Sequence, residues 1–524
     1  MLTTGLDCTC NCNLPFRIPL QGINFKANYQ HMIPIQDRKP NILFILTDQQ
    51  RRDSMSAYGN KWIKTPNLDK LANKSFVFEN TYVTQPVCTP ARASIMTGLY
   101  PYATGLQRNN IPLSRDIPTI GDMISSEYYN AHMGKWHLGD DMTAQHGFDK
   151  WEAVEDFQRI RTTRKEYRYQ EAPYNQWLRD HGIDPPSMQV SYEGWVGVVE
   201  LTEEQTQAGF LGHTASNFIS DYPKGNHADQ PWMLFVNFFE PHPPYTGPLN
   251  HLYNPKDVEV GPGFRKRPDS GSLVNRLRSD FYMSGGNNPL GTAGGDHHET
   301  STEKGLRKLR AQYFANVTLV DNQIGKIFNS LEKSGQAENT IIVFTSEHGE
   351  MAGDHGMLEK RSLYEEASNV PLLIYVPWLN SNDQQRIDGS VGQVDLVPTL
   401  LDLSGSDIPK HLEGKSLVPV LRGDEDLSHN DVFIQWNGMG DRNLGSPEIN
   451  RMVSIPWRGV VTGDRWKLNL SPGDQCELYD LNSDPYELDN LFNIQEHRDR
   501  IREMSARIRI WQDETGDDMP LPAV

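Results

Sequence analysis

Four short apolar runs punctuate the chain: Asn41–Leu46, Trp232–Phe239, Thr340–Thr345 and Pro371–Pro377. None alternates with polar residues, so each reads as a strand buried on both faces, as in a sheet covered by helices on either side. Between them the spacing of Leu306, Leu309, Tyr313, Val317, Val320 and Ile324 predicts a helix over Lys304–Leu331, with Gly335 and Asn339 punctuating the loop that follows. Strands alternating with helices over this length predict an α/β layered domain, here placed at 39–424. Residues 151–230 are aromatic and charged with weak periodicity and read as a long insertion; 255–303 are rich in Gly, Pro, Asn and Ser and read as a surface excursion. After Asp395–Leu403 the texture changes. Short strand-like pieces at Asp431–Trp436 and Val460–Leu470, then an amphipathic stretch around His497–Gln512, predict a smaller α+β C-terminal subdomain over 425–524. No internal repeat is present, and residues 1–38 read as an irregular leader.

Composition changes this picture little. Apolar residues make up 37% of the 524, enough for a large core, and no apolar run approaches the roughly 18 residues of a membrane span. A formal net charge of −18 argues against nucleic acid or an anionic membrane as partner. An anionic substrate would therefore need a local cluster of Lys, Arg or metal charge. Of five cysteines, Cys8, Cys10 and Cys12 fall in the polar leader and Cys88 and Cys476 stand alone, so no disulfide framework is expected. The N-terminus lacks the basic and apolar regions of a secretory signal. The expected location is cytoplasmic, or periplasmic or secreted where an export signal precedes this stretch. Oligomeric state is not legible.

Candidate chemistry collects where strands end. After the first run come Asp48, Gln49 and Gln50; after the second, Glu240 and His242; after the third, Glu347 and His348. In open α/β sheets ligands gather beyond the carboxyl ends of strands, and two carboxylates with an imidazole suit an oxygen-preferring divalent cation. Cys88 precedes Thr89-Pro90, with Pro90 placed for a first helical turn and Gly98 for the helix end. A helix N-terminus offers free N–H groups and partial positive charge to an anion or anionic nucleophile, and Arg92 lies one turn along.

Cys88-Thr89-Pro90-Ala91-Arg92 resembles the C-x-P-x-R signature of the type I sulfatases of the alkaline-phosphatase superfamily. The resemblance extends through Asn41–Gln50, Gly134–Gly139 with Lys135 and His137, Glu240–His242, Thr345–Glu350, Lys360, and the tail Glu477–Leu481 and Asp489–Leu491, covering about 40–515. It implies an alkaline-phosphatase-like fold, a mostly parallel mixed sheet sandwiched by helices with a smaller α+β domain carrying a short antiparallel sheet. It also implies a sulfuric ester hydrolase acting on a sulfated carbohydrate. Cys88 would be matured by a formylglycine-generating enzyme to formylglycine (3-oxoalanine), whose hydrate supplies an oxygen nucleophile. Asp48, Gln49, residue 88, Glu347 and His348 would hold the cation, Ca²⁺ first and Mg²⁺ or Mn²⁺ next. Arg92 would orient the formylglycine, Lys135 would contact sulfate and nucleophile, and His137 would handle the second hydroxyl's proton. His242 and Lys360 would bind sulfate and assist the leaving oxygen, with Arg108 and Asn109 as further substrate contacts.

Two departures from the family pattern stand out. Gln49 replaces the usual second Asp, and Glu347 replaces an Asp one methylene shorter. The cation would then meet two side-chain charges rather than three, which favours a sulfate ester and loosens the metal. Lys135 and His137, two apart on a segment expected to be extended, should point the same way. Trp177, Tyr192, Trp195 and Tyr245 are expected to build a saccharide cleft. Gly294–Glu299 reads as a solvated loop rather than a metal cluster, and the Asn316-Val317-Thr318 glycosylation pattern is discounted because it falls in a buried helix. A phosphonate monoester or phosphodiester hydrolase of the same superfamily is the alternative, and a catalytically silent sulfoglycan-binding protein the second.

Overall fold

The computed structural model describes residues 39–154, 162–185, 201–285, 300–380, 383–438 and 447–524. The leader with Cys8, Cys10 and Cys12, the Gly294–Glu299 loop, Tyr192 and Trp195 lie outside the described residues. All four apolar runs are strands of one sheet. Its members are β1 (Asn41–Thr47), β2 (Phe76–Tyr82), β3 (Tyr129–Gly134), β4 (Lys150–Glu152), β5 (Trp232–Asn237), β6 (Thr340–Ser346), β7 (Asn369–Tyr375) and β8 (Gln385–Gly392), in the order β4-β3-β5-β1-β6-β7-β2-β8. Only β7 runs against the rest. The sheet is therefore mostly parallel, and the carboxyl ends of β1, β2, β3, β5 and β6 open on one edge.

Burial on both faces follows from the pattern of β1: Ile42, Phe44 and Leu46 join one core, Leu43 and Ile45 the other. The first core includes Ala93, Ile95 and Met96 of the helix Cys88–Thr97 and Leu396, Val397, Leu400 and Leu401 of the helix Leu396–Leu403. The second receives the long helix Glu303–Lys333, predicted over Lys304–Leu331, and the helix Gln207–Asp221. Asn316 is buried within the long helix, in line with discounting its glycosylation pattern.

Two stretches read as peripheral carry structural helices. Gln207–Asp221, inside 151–230, packs Ala208, Leu211, Ala215 and Ile219 into the core. Its small residues weaken the apolar periodicity but let it approach closely; a side chain at Gly212 would meet Gln323. Leu273–Met283, inside 255–303, buries Val274, Arg278 and Tyr282. A second, fully antiparallel sheet comprises β9 (Val432–Trp436), β10 (Trp457–Val461), β11 (Trp466–Leu470) and β12 (Glu477–Asp480), and the helix Arg498–Thr515 lays Ile501, Met504, Ile508 and Trp511 against it. The Gln435 N–H donates to the Thr84 carbonyl at 2.6 Å, which brings this sheet to the segment leading into Cys88. Among the described residues no helix is long and apolar enough to cross a membrane.

Candidate active site

Cys88 is the first residue of its helix, reached from β2 through an extended Val87, and Gly98 ends the helix in the left-handed conformation at φ 70°. The Asn109 side-chain oxygen accepts from the Thr89 N–H at 3.0 Å and the Thr89 hydroxyl donates to the His137 carbonyl at 3.0 Å, so side chains tie the helix start to the loop after β3. Asn109, half-buried, thus holds the first turn through its oxygen, and Arg108 is exposed at the surface.

Asp48 follows β1; Glu347 and His348 follow β6, its neighbour in the sheet. Ligand atoms of Asp48, Cys88, Glu347 and His348 lie within 4.8 Å of one another, all four residues buried. Cys88 Sγ is 3.3 Å from His348 Nε2, and Glu347 Oε1 is 3.0 Å from the same nitrogen. His348 Nδ1 donates to the Gly349 carbonyl at 3.0 Å, which leaves Nε2 as the ligating side. Gly349 is required there, because a Cβ would come within 2.0 Å of the Glu366 carbonyl. Asp48 Oδ1 is buried without a hydrogen-bond partner. Converging buried oxygens, a sulfur and an imidazole nitrogen, with Asp48 Oδ1 and both Glu347 oxygens lacking hydrogen-bond partners, fit a divalent cation.

Positive side chains ring this cluster. Arg92 pairs with Glu347, lies 3.8 Å from Asp48, and donates to the Lys135 carbonyl at 2.7 Å. Lys135 pairs with Asp48 and places its ammonium 4.7 Å from the Phe239 ring, which in turn lies 4.7 Å from the His242 ring. His242 Nδ1 donates to the Pro243 carbonyl at 2.8 Å. Lys360 donates to the Gln49 side-chain oxygen. Burial opposes ionisation of Cys88, but Lys360, with Lys135 and His348, holds its thiol well below the usual range. Against its burial, Arg92 brings the Glu347 carboxyl down to about 2. Burial and Lys360 push His242 well below the ordinary imidazole value.

Cys88, Arg92, Lys135, His242, Lys360, Asp48, Glu347 and His348 thus gather at one sheet edge. Gln49 is adjacent, at φ 69°, with its amide nitrogen donating to Glu350 and to Tyr245 at 3.2 Å. His137 differs from expectation: its φ of 61° breaks the extended run, so alternation does not align it with Lys135. Its Nε2 lies 3.1 Å from Asn110 Oδ1. The turn begins at Gly134, whose Cβ would collide with the Asn237 carbonyl at 2.0 Å, so β3 leaves the sheet only where a glycine permits it. The saccharide-cleft residues differ too. Tyr245 is buried against Gln49, and the partly buried Trp177 packs its ring against Phe210 and His213.

Sequence reasoning passed over several supports. The Gln393 amide donates to the carbonyls of Ser346 and Glu347 at 3.1 and 2.8 Å. The Tyr313 hydroxyl donates to the Gln49 carbonyl at 2.8 Å, and Arg278 donates to the carbonyls of Lys360 and Arg361 at 2.6 and 2.8 Å. Glu350 stood inside the quoted Thr345–Glu350 stretch, a signal left unused; the other three carry no local signature.

The family model described as Sulfatase matches residues 40–406, and one described as N-sulphoglucosamine sulphohydrolase, C-terminal, matches 353–514. The chain is 29% identical to an uncharacterized sulfatase of Escherichia coli, YidJ, covering 87% of this chain and 84% of that one. It is 25% identical to an N-acetylglucosamine-6-O-sulfatase of Bacteroides thetaiotaomicron, covering 93% and 88%. The phosphonate monoester hydrolase of Agrobacterium radiobacter superposes with a TM-score of 0.74 at 25% identity, covering 91% of this chain and 96% of that one.

Proposed function

We propose that this chain, which belongs to the sulfatase family, removes sulfate from a sulfated carbohydrate through a formylglycine made from Cys88, with Ca²⁺ as its cation and Mg²⁺ or Mn²⁺ as the next choices. The chain is a sulfuric ester hydrolase. The observation that carries the reading is the convergence of Asp48, Glu347 and His348 on Cys88 within 4.8 Å, at a helix start ringed by Lys135, Lys360 and Arg92. The glycan substrate rests on the N-acetylglucosamine-6-O-sulfatase relative.

As formylglycine, residue 88 would supply an oxygen nucleophile, and Asp48, Glu347, His348 and residue 88, with the Gln49 oxygen as a further donor, would hold a cation whose charge would lie beside the sulfate. The chain's own groups do the rest. Lys135 and Lys360 bind the sulfate oxygens with fixed positive charge, and electrostatic preorganisation of this kind is usually the largest catalytic contribution. Arg92 holds Glu347 ionised and, 3.8 Å from Asp48, orients both carboxylates. His242, kept neutral by burial in the free protein, has Nδ1 committed to Pro243. An anion beside it counters that depression, so the ring gains its Nε2 proton as substrate binds and passes it to the leaving oxygen.

The test is co-expression with a formylglycine-generating enzyme, mass analysis of the Cys88 peptide, and assay on sulfated oligosaccharides, an aryl sulfate and an aryl phosphonate. Conversion with sulfate release from a sulfated sugar is expected. A peptide that stays plain cysteine, or converted protein inert on every sulfate ester, overturns the reading. Faster phosphonate than sulfate turnover would favour the second reading, a phosphonate monoester hydrolase, which the Agrobacterium superposition and the uncharged Gln49 support.

A further inference from the structure

The Gln49 carboxamide stands between two groups of opposite hydrogen-bonding character. Its nitrogen donates to the Glu350 carboxylate and its oxygen accepts from the Lys360 ammonium. A carboxylate accepts only and an ammonium donates only, so the amide between them has one allowed orientation. All three residues are buried: Gln49 and Glu350 at 0% and Lys360 at 4% exposure.

Glu350 is anchored independently. Its Oε1 accepts the N–H groups of Ala352 at 2.9 Å and Glu359 at 2.6 Å, the second immediately preceding Lys360. Tyr245 also accepts from the Gln49 nitrogen, at 3.2 Å, and closes the pocket on that side. Glu350 therefore grips the backbone beside Lys360 with one oxygen and the amide that receives the Lys360 ammonium with the other.

We propose that Glu350 is a positioning residue that fixes the Gln49 carboxamide with its oxygen toward the Lys360 ammonium and the acidic cluster. Where Gln49 stands in place of a carboxylate, an amide is introduced that could face either way; Glu350 removes the choice. The inference rests on the reading of Lys360 as a sulfate-binding lysine for its effect on turnover, and on hydrogen-bond polarity alone for its effect on orientation.

The test is Glu350→Gln alongside the exchanged pair Gln49→Glu/Glu350→Gln. In the single variant the new side-chain oxygen must still take the N–H groups of Ala352 and Glu359. Its NH₂ then faces the Gln49 NH₂, and the Gln49 amide, with a donor on either side, no longer has an orientation that satisfies both contacts. In the exchanged pair the amide of residue 350 donates to a carboxylate at 49, which also accepts from Lys360, and net charge is kept. Expected is at least a tenfold loss of kcat/KM on an aryl sulfate in Glu350→Gln, with at least a tenfold weaker Ca²⁺ affinity by calorimetry on the unmatured cysteine protein. Most of both is recovered in the exchanged pair. A Glu350→Gln protein equal to wild type on both measures overturns the inference. So does an exchanged pair that matches wild type in Tm yet recovers nothing. The calcium titration reads without turnover, so a wild type inert on sulfate esters would sink the proposed function and leave this inference to be decided on affinity.

Discussion

Glu240 stands two residues before His242, with its Oε1 accepting the Ala208 N–H at 3.2 Å. Burial, with a smaller contribution from Asp48, pushes its carboxyl from 4.5 up to about 7. The folded state then holds a proton that the unfolded chain has released, so this contribution to stability is full below about pH 4.5 and fades as pH rises through about 7. The shift corresponds to roughly 3 kcal/mol at pH 8. Glu240→Gln keeps the shape without the ionisation. Its Tm should exceed wild type at pH 8 and merge with it near pH 4.5; a constant difference across the range would show that burial of the charge is not the cause. Arg92 illustrates the same rule with the opposite sign. Its guanidinium beside Glu347 holds that carboxyl at about 2, so a buried negative charge persists where the cation cluster needs it.

At the scale of elements, the strands that bear the site were legible where both faces are apolar. Asn41–Thr47, Trp232–Asn237, Thr340–Ser346 and Asn369–Tyr375 announce themselves. β3 does not, because Asn130 and His132 lie inside it. Each has partners elsewhere in the fold: Asn130 donates to the carbonyls of Gly121 and Gly147 at 3.1 and 2.9 Å, and His132 Nε2 meets Asn237 at 2.8 Å. Buried polar groups paired over long sequence distance look like loop residues in a one-dimensional reading. The charged and metal-side residues Asp48, His242, Glu347 and Cys88 were legible because they follow strand ends or open a helix, whereas Lys135, after the unannounced β3, came only from the family resemblance. The turn at His137 was not, since its left-handed backbone has no marker in residue type. The helix Leu273–Met283 was hidden by its Gly- and Pro-rich surroundings, yet Arg278 within it clasps the Lys360 backbone. Arg278→Ala removes two bonds from a charged donor and should cost about 2–4 kcal/mol. Chemical denaturation should show that loss, and kcat/KM on an aryl sulfate should fall with it. Undiminished turnover would show that the Lys360 loop holds itself.

For the whole molecule, the net charge of −18 and a positively ringed site pull an anionic substrate in opposite directions. At 10 mM salt, where the Debye length is about 30 Å, the overall negative field reaches an approaching polyanion; at 100 mM it shrinks to about 10 Å and the local lysines dominate. The kcat/KM for a multiply sulfated oligosaccharide should therefore rise over that range, while a singly charged aryl sulfate changes little. Falling values for the oligosaccharide would mean that the site's own field extends further than the surface charge.

The helix that opens on Cys88 is buried along all ten of its residues, and the cysteine itself is 1% exposed. An enzyme oxidising this thiol would have to reach a side chain that the finished fold closes off. On the proposed reading of Cys88 as a formylglycine precursor, maturation becomes a matter of timing: it would belong to synthesis, while the segment is still nascent polypeptide. Purified, folded cysteine protein given the maturation enzyme should stay unconverted by mass, whereas a peptide spanning 85–100 should convert readily. Efficient conversion of the folded protein would show that this helix opens. A cell making this chain faster than it can treat it would accumulate well-folded, inert molecules that no later exposure repairs.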